Sequence, residues 1–215
     1  MQIHHLTVGL LHTNCFIFID PKSREAWLID PGGNSTEILK TLETHNARLT
    51  HIILTHAHFD HLLAAPDIKA RTRAHLALHP AEQPVLDHAP QAVKAWLGWD
   101  WGPAPQVDRY LHPGDPLTLG QTDIEIRHVP GHSPGSIALI DHAARRAWVG
   151  DILFRGSVGR TDLPGGNHSQ LIRSINEQIL TLPDDYTLYP GHGPETTVGH
   201  ERQHNPFITP DLWVG

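Results

Sequence analysis

The sequence predicts a mixed α/β fold, a single layered domain over residues 1–215 with helices outside and sheets inside. Three observations predict it. Strand-like apolar runs and helical patterns occur in both halves of the chain. Hydrophobic residues make up 39% of 215, enough to fill a core at this length. No repeat, linker or low-complexity tract divides the chain.

Each element has its own signal. Between residues 3 and 30, LTVGLL, CFIFID and AWLID are separated by turn residues and read as three strands joined tightly. After Gly33 the period changes: Asn34 or Ser35 caps a helix reaching about Asn46, with Ile38, Leu39 and Leu42 on one face. THIILT, residues 50–55, is a continuous apolar strand covered on both faces, and it runs straight into HAHFDH. A helix over about 60–73 follows, then a strand at 74–78 and a proline-bounded, partly helical stretch through WLGWDWGPAP. Strands resume near 107–111, 117–119 and 124–129; PGHSPG leads into another at 136–140, and AWVG runs into Asp151. Leu171, Ile172, Ile175 and Ile179 mark the buried face of a helix over 169–180, and the strand TLYP opens into GHGPET.

The net charge of −7 disfavours a nucleic-acid or anionic-membrane surface, both of which need clustered basic residues. No apolar run approaches the roughly 18 residues of a membrane span, and the N-terminus lacks signal-peptide features. The single cysteine, Cys15, forms no internal disulfide and reads as a small buried apolar residue. These features point to a cytoplasmic protein with a small-molecule substrate and neither nucleic acid nor membrane as partner; the sequence does not specify an oligomeric state.

Nineteen histidines stand out. The sharpest cluster is T-H-A-H-F-D-H, residues 55–61, whose arrangement would arise by chance only about 0.01 times in a chain of this composition. In an extended segment His56, His58 and Asp60 share a face, and a turn into the next helix redirects His61. Three other apolar strands end at a potential ligand: His132, Asp151 and His192. Five imidazoles and two carboxylates match what a pair of divalent ions requires. His56, His58 and His132 are assigned to one ion, Asp60, His61 and His192 to the other, and Asp151 between them. Zinc is the first expectation, iron or manganese the alternatives.

With these motifs in order, the sequence resembles the metallo-β-lactamase-fold hydrolase superfamily, and within it the short bacterial hydrolases of the glyoxalase II type. GDILFRGSVGRTDLPGG, PGHGPET and the ERQHNPF tail carry the closer resemblance. It implies a four-layer αββα sandwich with the metals at the sheet edge. It also matches Arg160 to a basic residue that contacts the glutathione part of the substrate in glyoxalase II. Asp162 stands where that family usually has a tyrosine, and Pro194 where it has an aromatic. Only 23 residues follow His192, so the helical domain that grips glutathione in longer enzymes is not expected here.

The ligand set predicts hydrolysis by a metal-bridging hydroxide, with Asp60 and Asp151 as catalytic ligands and Asp60 also orienting the nucleophile. A thioester suits the site because a thiolate leaves with little help from a proton; S-lactoylglutathione or a related acyl thiol is the expected substrate. The alternatives are a mononuclear iron persulfide dioxygenase using His56, His132 and Asp151, a lactonase, β-lactamase or other ester or amide metallohydrolase, and non-catalytic metal storage or sensing. Arg160 either binds a substrate carboxylate or pairs with Asp162, and His168, at a helix start, is a candidate substrate contact. Trp96, Trp99 and Trp101 form either an aromatic wall over the substrate or, as preferred here, a plug against the core. The remaining histidines are read as surface or hydrogen-bonded residues.

Overall fold

TNCFIFI, residues Thr13–Ile19, is buried at every position, so both of its faces need a cover and the strand must lie inside a sheet. In the computed structural model, which describes residues 1–208, it does. The described residues form two compact units, Met1–Leu111 with Thr118–Thr122, and His112–Leu117 with 123–208.

The first unit is built on one six-stranded sheet. Strands β1 (Gln2–Val8), β2 (Thr13–Ile19) and β3 (Glu25–Ile29) run antiparallel. Helix α1 (Ser35–Thr44) leads to β4 (Arg48–Ile53), α2 (Ala65–Thr72) to β5 (His75–Leu78), and α3 (Gln83–Leu97) to β6 (Arg109–Tyr110). Each of these strands adds in parallel, as a helical crossover requires, giving the order β1-β2-β3-β4-β5-β6. Alternate residues Cys15, Ile17, Ile19, Ala26 and Leu28 pack with Ile38 and Leu42 of α1, Ile68 of α2 and Leu86 of α3. Phe16, Phe18, Trp27 and Ile29, on the opposite face, are buried as well. A two-stranded sheet of β7 (Thr118–Leu119) and β8 (Thr122–Asp123) follows.

The second unit has a five-stranded sheet. Strands β9 (Glu125–His128), β10 (Ile137–Asp141) and β11 (Arg146–Gly150) form an antiparallel meander, and a separate two-stranded hairpin pairs β12 (Leu153–Phe154) with β13 (Ser157–Val158). Helix α4 (His168–Ser174) precedes β14 (Thr187–Pro190), which lies parallel to β11; β15 (Thr196–Thr197) closes the sheet and α5 (Val198–His204) follows it. Ala138, Ile140, Ala147 and Val149 pack against Leu171, Ile175 and Ile179.

The structure departs from the sequence-based expectations where local chemistry outweighs periodicity. The helix expected over 60–73 divides into a tight 3-10 turn at Phe59–His61 and α2, because Pro66 lacks the N–H that a continuous helix would use there. The helix over 168–179 widens after Ser174 into a π-helical segment, Ile175–Ile179. Asn34 does occupy the N-cap of α1 but makes no cap hydrogen bond: its backbone is left-handed at φ 52°, its Oδ1 accepts from Gly9 N at 3.2 Å and its Nδ2 donates to Glu37. No helix among the described residues is long and apolar enough to cross a membrane.

Candidate metal centre

In the first unit the donors gather where β4 leaves its sheet. His58 keeps an extended backbone, and the turn that follows returns the chain so that the His61 N–H donates to the His58 carbonyl at 3.0 Å. Asp60 thus lies within the turn and not on an extended face shared with His56 and His58. Donor atoms of His56 and His58, of His56 and His61, and of Asp60 and His61 come within 4.8 Å of one another. The His56 ring lies 4.8 Å from that of His58 and 4.1 Å from that of His61.

Residues that the sequence reading did not single out hold this turn. Asp30, just past β3, is buried, with a left-handed backbone at φ 51°. Its Oδ1 accepts from Thr55 N at 2.7 Å, and its Oδ2 accepts the Thr55 hydroxyl at 2.6 Å and lies 3.1 Å from His61 Nδ1. A carboxylate there keeps the proton on Nδ1 and leaves His61 Nε2 as the donor, 3.5 Å from Asp60 Oδ2. Glu82, fully buried, accepts from Ala57 N at 2.8 Å, between His56 and His58. Thr13 donates its hydroxyl to the Asp60 carbonyl at 3.0 Å. Gly32 passes so close that a Cβ there would stand 1.8 Å from the same carbonyl oxygen.

In the second unit three separate strand ends supply one donor each. His132 follows Gly131, whose φ of 135° and approach to Leu171, 2.3 Å from where a Cβ would sit, demand glycine. His132 Nδ1 lies 2.8 Å from the Arg160 carbonyl oxygen, which fixes the Nδ1–H tautomer and leaves Nε2 as donor. That Nε2 is 3.9 Å from Asp151 Oδ2, and His192 Nε2 is 3.6 Å from the same oxygen. Gly159 seals this arrangement: a Cβ would fall 1.9 Å from the Asp151 carbonyl oxygen and 3.0 Å from His132 Nδ1.

These residues fit a divalent ion. Two ligands each about 2.1 Å from a tetrahedral ion stand about 3.4 Å apart. The separations of 3.5 Å for Asp60–His61, 3.6 Å for Asp151–His192 and 3.9 Å for Asp151–His132 are too long for strong hydrogen bonds and close to that spacing. Each imidazole with a backbone or carboxylate partner on Nδ1 presents Nε2, the orientation a metal ligand needs.

The substrate candidates stand differently. Both arms of the Arg160 guanidinium engage Asp162 at 2.7 Å, the second of the two readings of that residue, and this hydrogen bonding lowers the Asp162 carboxyl to about 2. His168 is exposed at the first position of α4. The tryptophans divide: Trp101 packs against the core and donates Nε1–H to the Leu63 carbonyl at 3.0 Å, as a plug would, whereas Trp96 and Trp99 are exposed. Cys15 is buried, and that burial pushes its thiol up, away from reactive thiolate. Of the other histidines, His79 accepts from Ala81 N and His142 bridges Tyr186 and Glu125.

Comparison with known proteins places this architecture. The model of the Metallo-beta-lactamase superfamily matches residues 8–192. The hydroxyacylglutathione hydrolase GloC of Haemophilus influenzae is 33% identical over 215 residues, covering 97% of this chain and 98% of its own. Among solved structures, the BLEG-1 B3 metallo-beta-lactamase superposes with a TM-score of 0.89 at 35% identity, covering 97% of this chain and 100% of its own. TTHA1623 in a di-iron-bound form superposes with a TM-score of 0.86 at 37% identity, covering 95% and 99%. The mixed α/β chain, with its strand-end imidazoles and carboxylates, belongs to the metallo-beta-lactamase superfamily.

Proposed function

We propose that the protein is a dinuclear metal-dependent hydrolase of thioesters, with His56, His58 and His132 on one ion, Asp60, His61 and His192 on the other, and Asp151 shared. The observation that carries the reading is that one oxygen, Asp151 Oδ2, lies within 3.9 and 3.6 Å of the Nε2 atoms of His132 and His192, ligands assigned to different ions, as a shared carboxylate should. Likeness to a hydroxyacylglutathione hydrolase supports the thioester, and likeness to a di-iron-bound structure supports two ions. Zinc is the proposed metal, with iron or manganese as alternatives for the same donors.

When bound, such a pair of cations supplies an acidified water and a Lewis acid for the carbonyl. The chain's own residues do the rest. Asp60 is held through its own carbonyl by Thr13, so its carboxylate is aimed and can orient the attacking water. Asp30 keeps the proton of His61 on Nδ1, and the Arg160 carbonyl does the same for His132, so both imidazoles bind as neutral donors. Water adds to the carbonyl carbon, the C–S bond breaks, and the products are a carboxylic acid and a free thiol. Arg160, with its guanidinium already paired, and the exposed His168 remain substrate-contact proposals.

The test couples elemental analysis to thiol release from a thioester panel. Two metals per chain with thiol release, lost in Asp151→Ala, supports the reading. One iron per chain with oxygen uptake identifies the dioxygenase instead; cleavage of lactones or β-lactams alone identifies another hydrolase; tight metal retention without turnover identifies storage or sensing.

A further inference from the structure

Phe59 sits between the donors His58 and Asp60, and its ring packs against Trp96 near the end of α3, with centroids 6.4 Å apart. Trp96 is nevertheless 62% exposed, and Trp99, just past the helix-ending Gly98, is 49% exposed. Trp101, two residues on, is pinned through its Nε1–H to the carbonyl of Leu63, two residues beyond His61. One tryptophan therefore anchors this segment beside the donor turn while two others remain largely exposed to solvent. Large aromatics left exposed next to a reactive centre mark a surface that a ligand covers.

We propose that Phe59, Trp96 and Trp99 form an acyl-binding platform that selects substrates with an extended apolar acyl group, alkyl or aryl, over short acyl groups. The proposal rests on the thioester reading and deepens it. A thiol carrier of the glutathione kind is polar and charged, and laying it on indole faces would strip water from groups that find no partner there. An apolar acyl group asks only for contact area, which indole and phenyl rings supply. The one guanidinium suggested by the sequence for a charged carrier, Arg160, is engaged by Asp162.

The test uses metal-loaded protein and N-acetylcysteamine thioesters of acetate, butyrate, hexanoate and benzoate, a series with one constant leaving thiol. Contact on one side of the chain is worth about a twofold gain in kcat/KM per methylene, so hexanoyl should exceed acetyl roughly 10- to 20-fold. Trp96→Ala should compress that ratio to within about threefold, and Trp96→Phe should keep most of it. Thiol release with no chain-length dependence, or dependence that survives Trp96→Ala, overturns the platform and leaves the thioester reading intact. If no thioester is cleaved, the thioester reading fails and binding of alkyl hydroxamates of increasing length decides. Affinity that rises with length in the unaltered protein, and does not in Trp96→Ala, supports an apolar subsite; length-independent affinity overturns it.

Discussion

The two donor sets share close glycine packing but differ in how much they lean on side chains. Four donors of the first unit come from six consecutive residues, and side chains from elsewhere hold them: Asp30, Glu82 and Thr13 each give or take a hydrogen bond at the turn. The three donors of the second unit come from three separate strand ends, and backbone contacts dominate around them: Gly159 against the Asp151 carbonyl, Gly131 against α4, the Arg160 carbonyl on His132, and, beside His192, the Gly191 N–H on the Gly150 carbonyl. The lesson is that a tight turn crowded with ligands needs polar buttresses, because its own peptide groups lack regular partners. Donors at strand ends inherit their positions from the sheet and need only that nothing intrude.

That contrast makes graded predictions. The largest effect belongs to Gly159→Ala, which sets a methyl against a backbone carbonyl that cannot step aside; it should cost about 3 kcal/mol or more, measured as a collapse of the thermal transition. Asp30→Ala comes next, at about 2–4 kcal/mol, since it removes at once the acceptor of the Thr55 N–H, of the Thr55 hydroxyl and of His61 Nδ1. Asp30→Asn sharpens the point: it tolerates the same left-handed backbone, so the protein should stay folded while chelator competition shows metal affinity about 10- to 100-fold weaker. If Asp30→Asn retained its metal as the unaltered protein does, polar buttressing of the turn would be refuted. Thr13→Val removes one buried hydrogen bond and should cost about 1 kcal/mol by denaturant titration.

The smallest effect lies at the Arg160–Asp162 pair. Its carboxyl is lowered from the ordinary 3.8 to about 2 by Arg160, so whatever the pair adds is present above pH 4 and is lost as pH falls through 2. Both side chains are exposed, so Arg160→Ala should lower the thermal transition only marginally at neutral pH, while carboxyl NMR follows Asp162 back toward its ordinary titration.

Much of this was legible because the donors obey local rules. His56, His58, Asp60 and His61 announce themselves by spacing, just past β4, and His132, Asp151 and His192 by following apolar strands, which the structure forms as β9, β11 and β14 with short extensions. Asp30 and Glu82 were not legible, since each acts on a residue 25 or more positions away and nothing local distinguishes it from an ordinary turn or helix-start acid. Asn34 shows the reverse error: a residue type that favours caps lies in the cap position but spends its side chain on Gly9 and Glu37. The tryptophans defeated any single reading because burial is decided residue by residue, with Trp101 inward and its neighbours outward.

The oxygen that orients His132 belongs to the main chain of Arg160, and every amino acid offers that same oxygen. Tautomer control at this position is thus inherited separately from side-chain identity. Directed evolution can vary residue 160 to recruit new substrates while the imidazole chemistry beneath it stays constant, which makes the site evolvable at one of the places nearest its ligands.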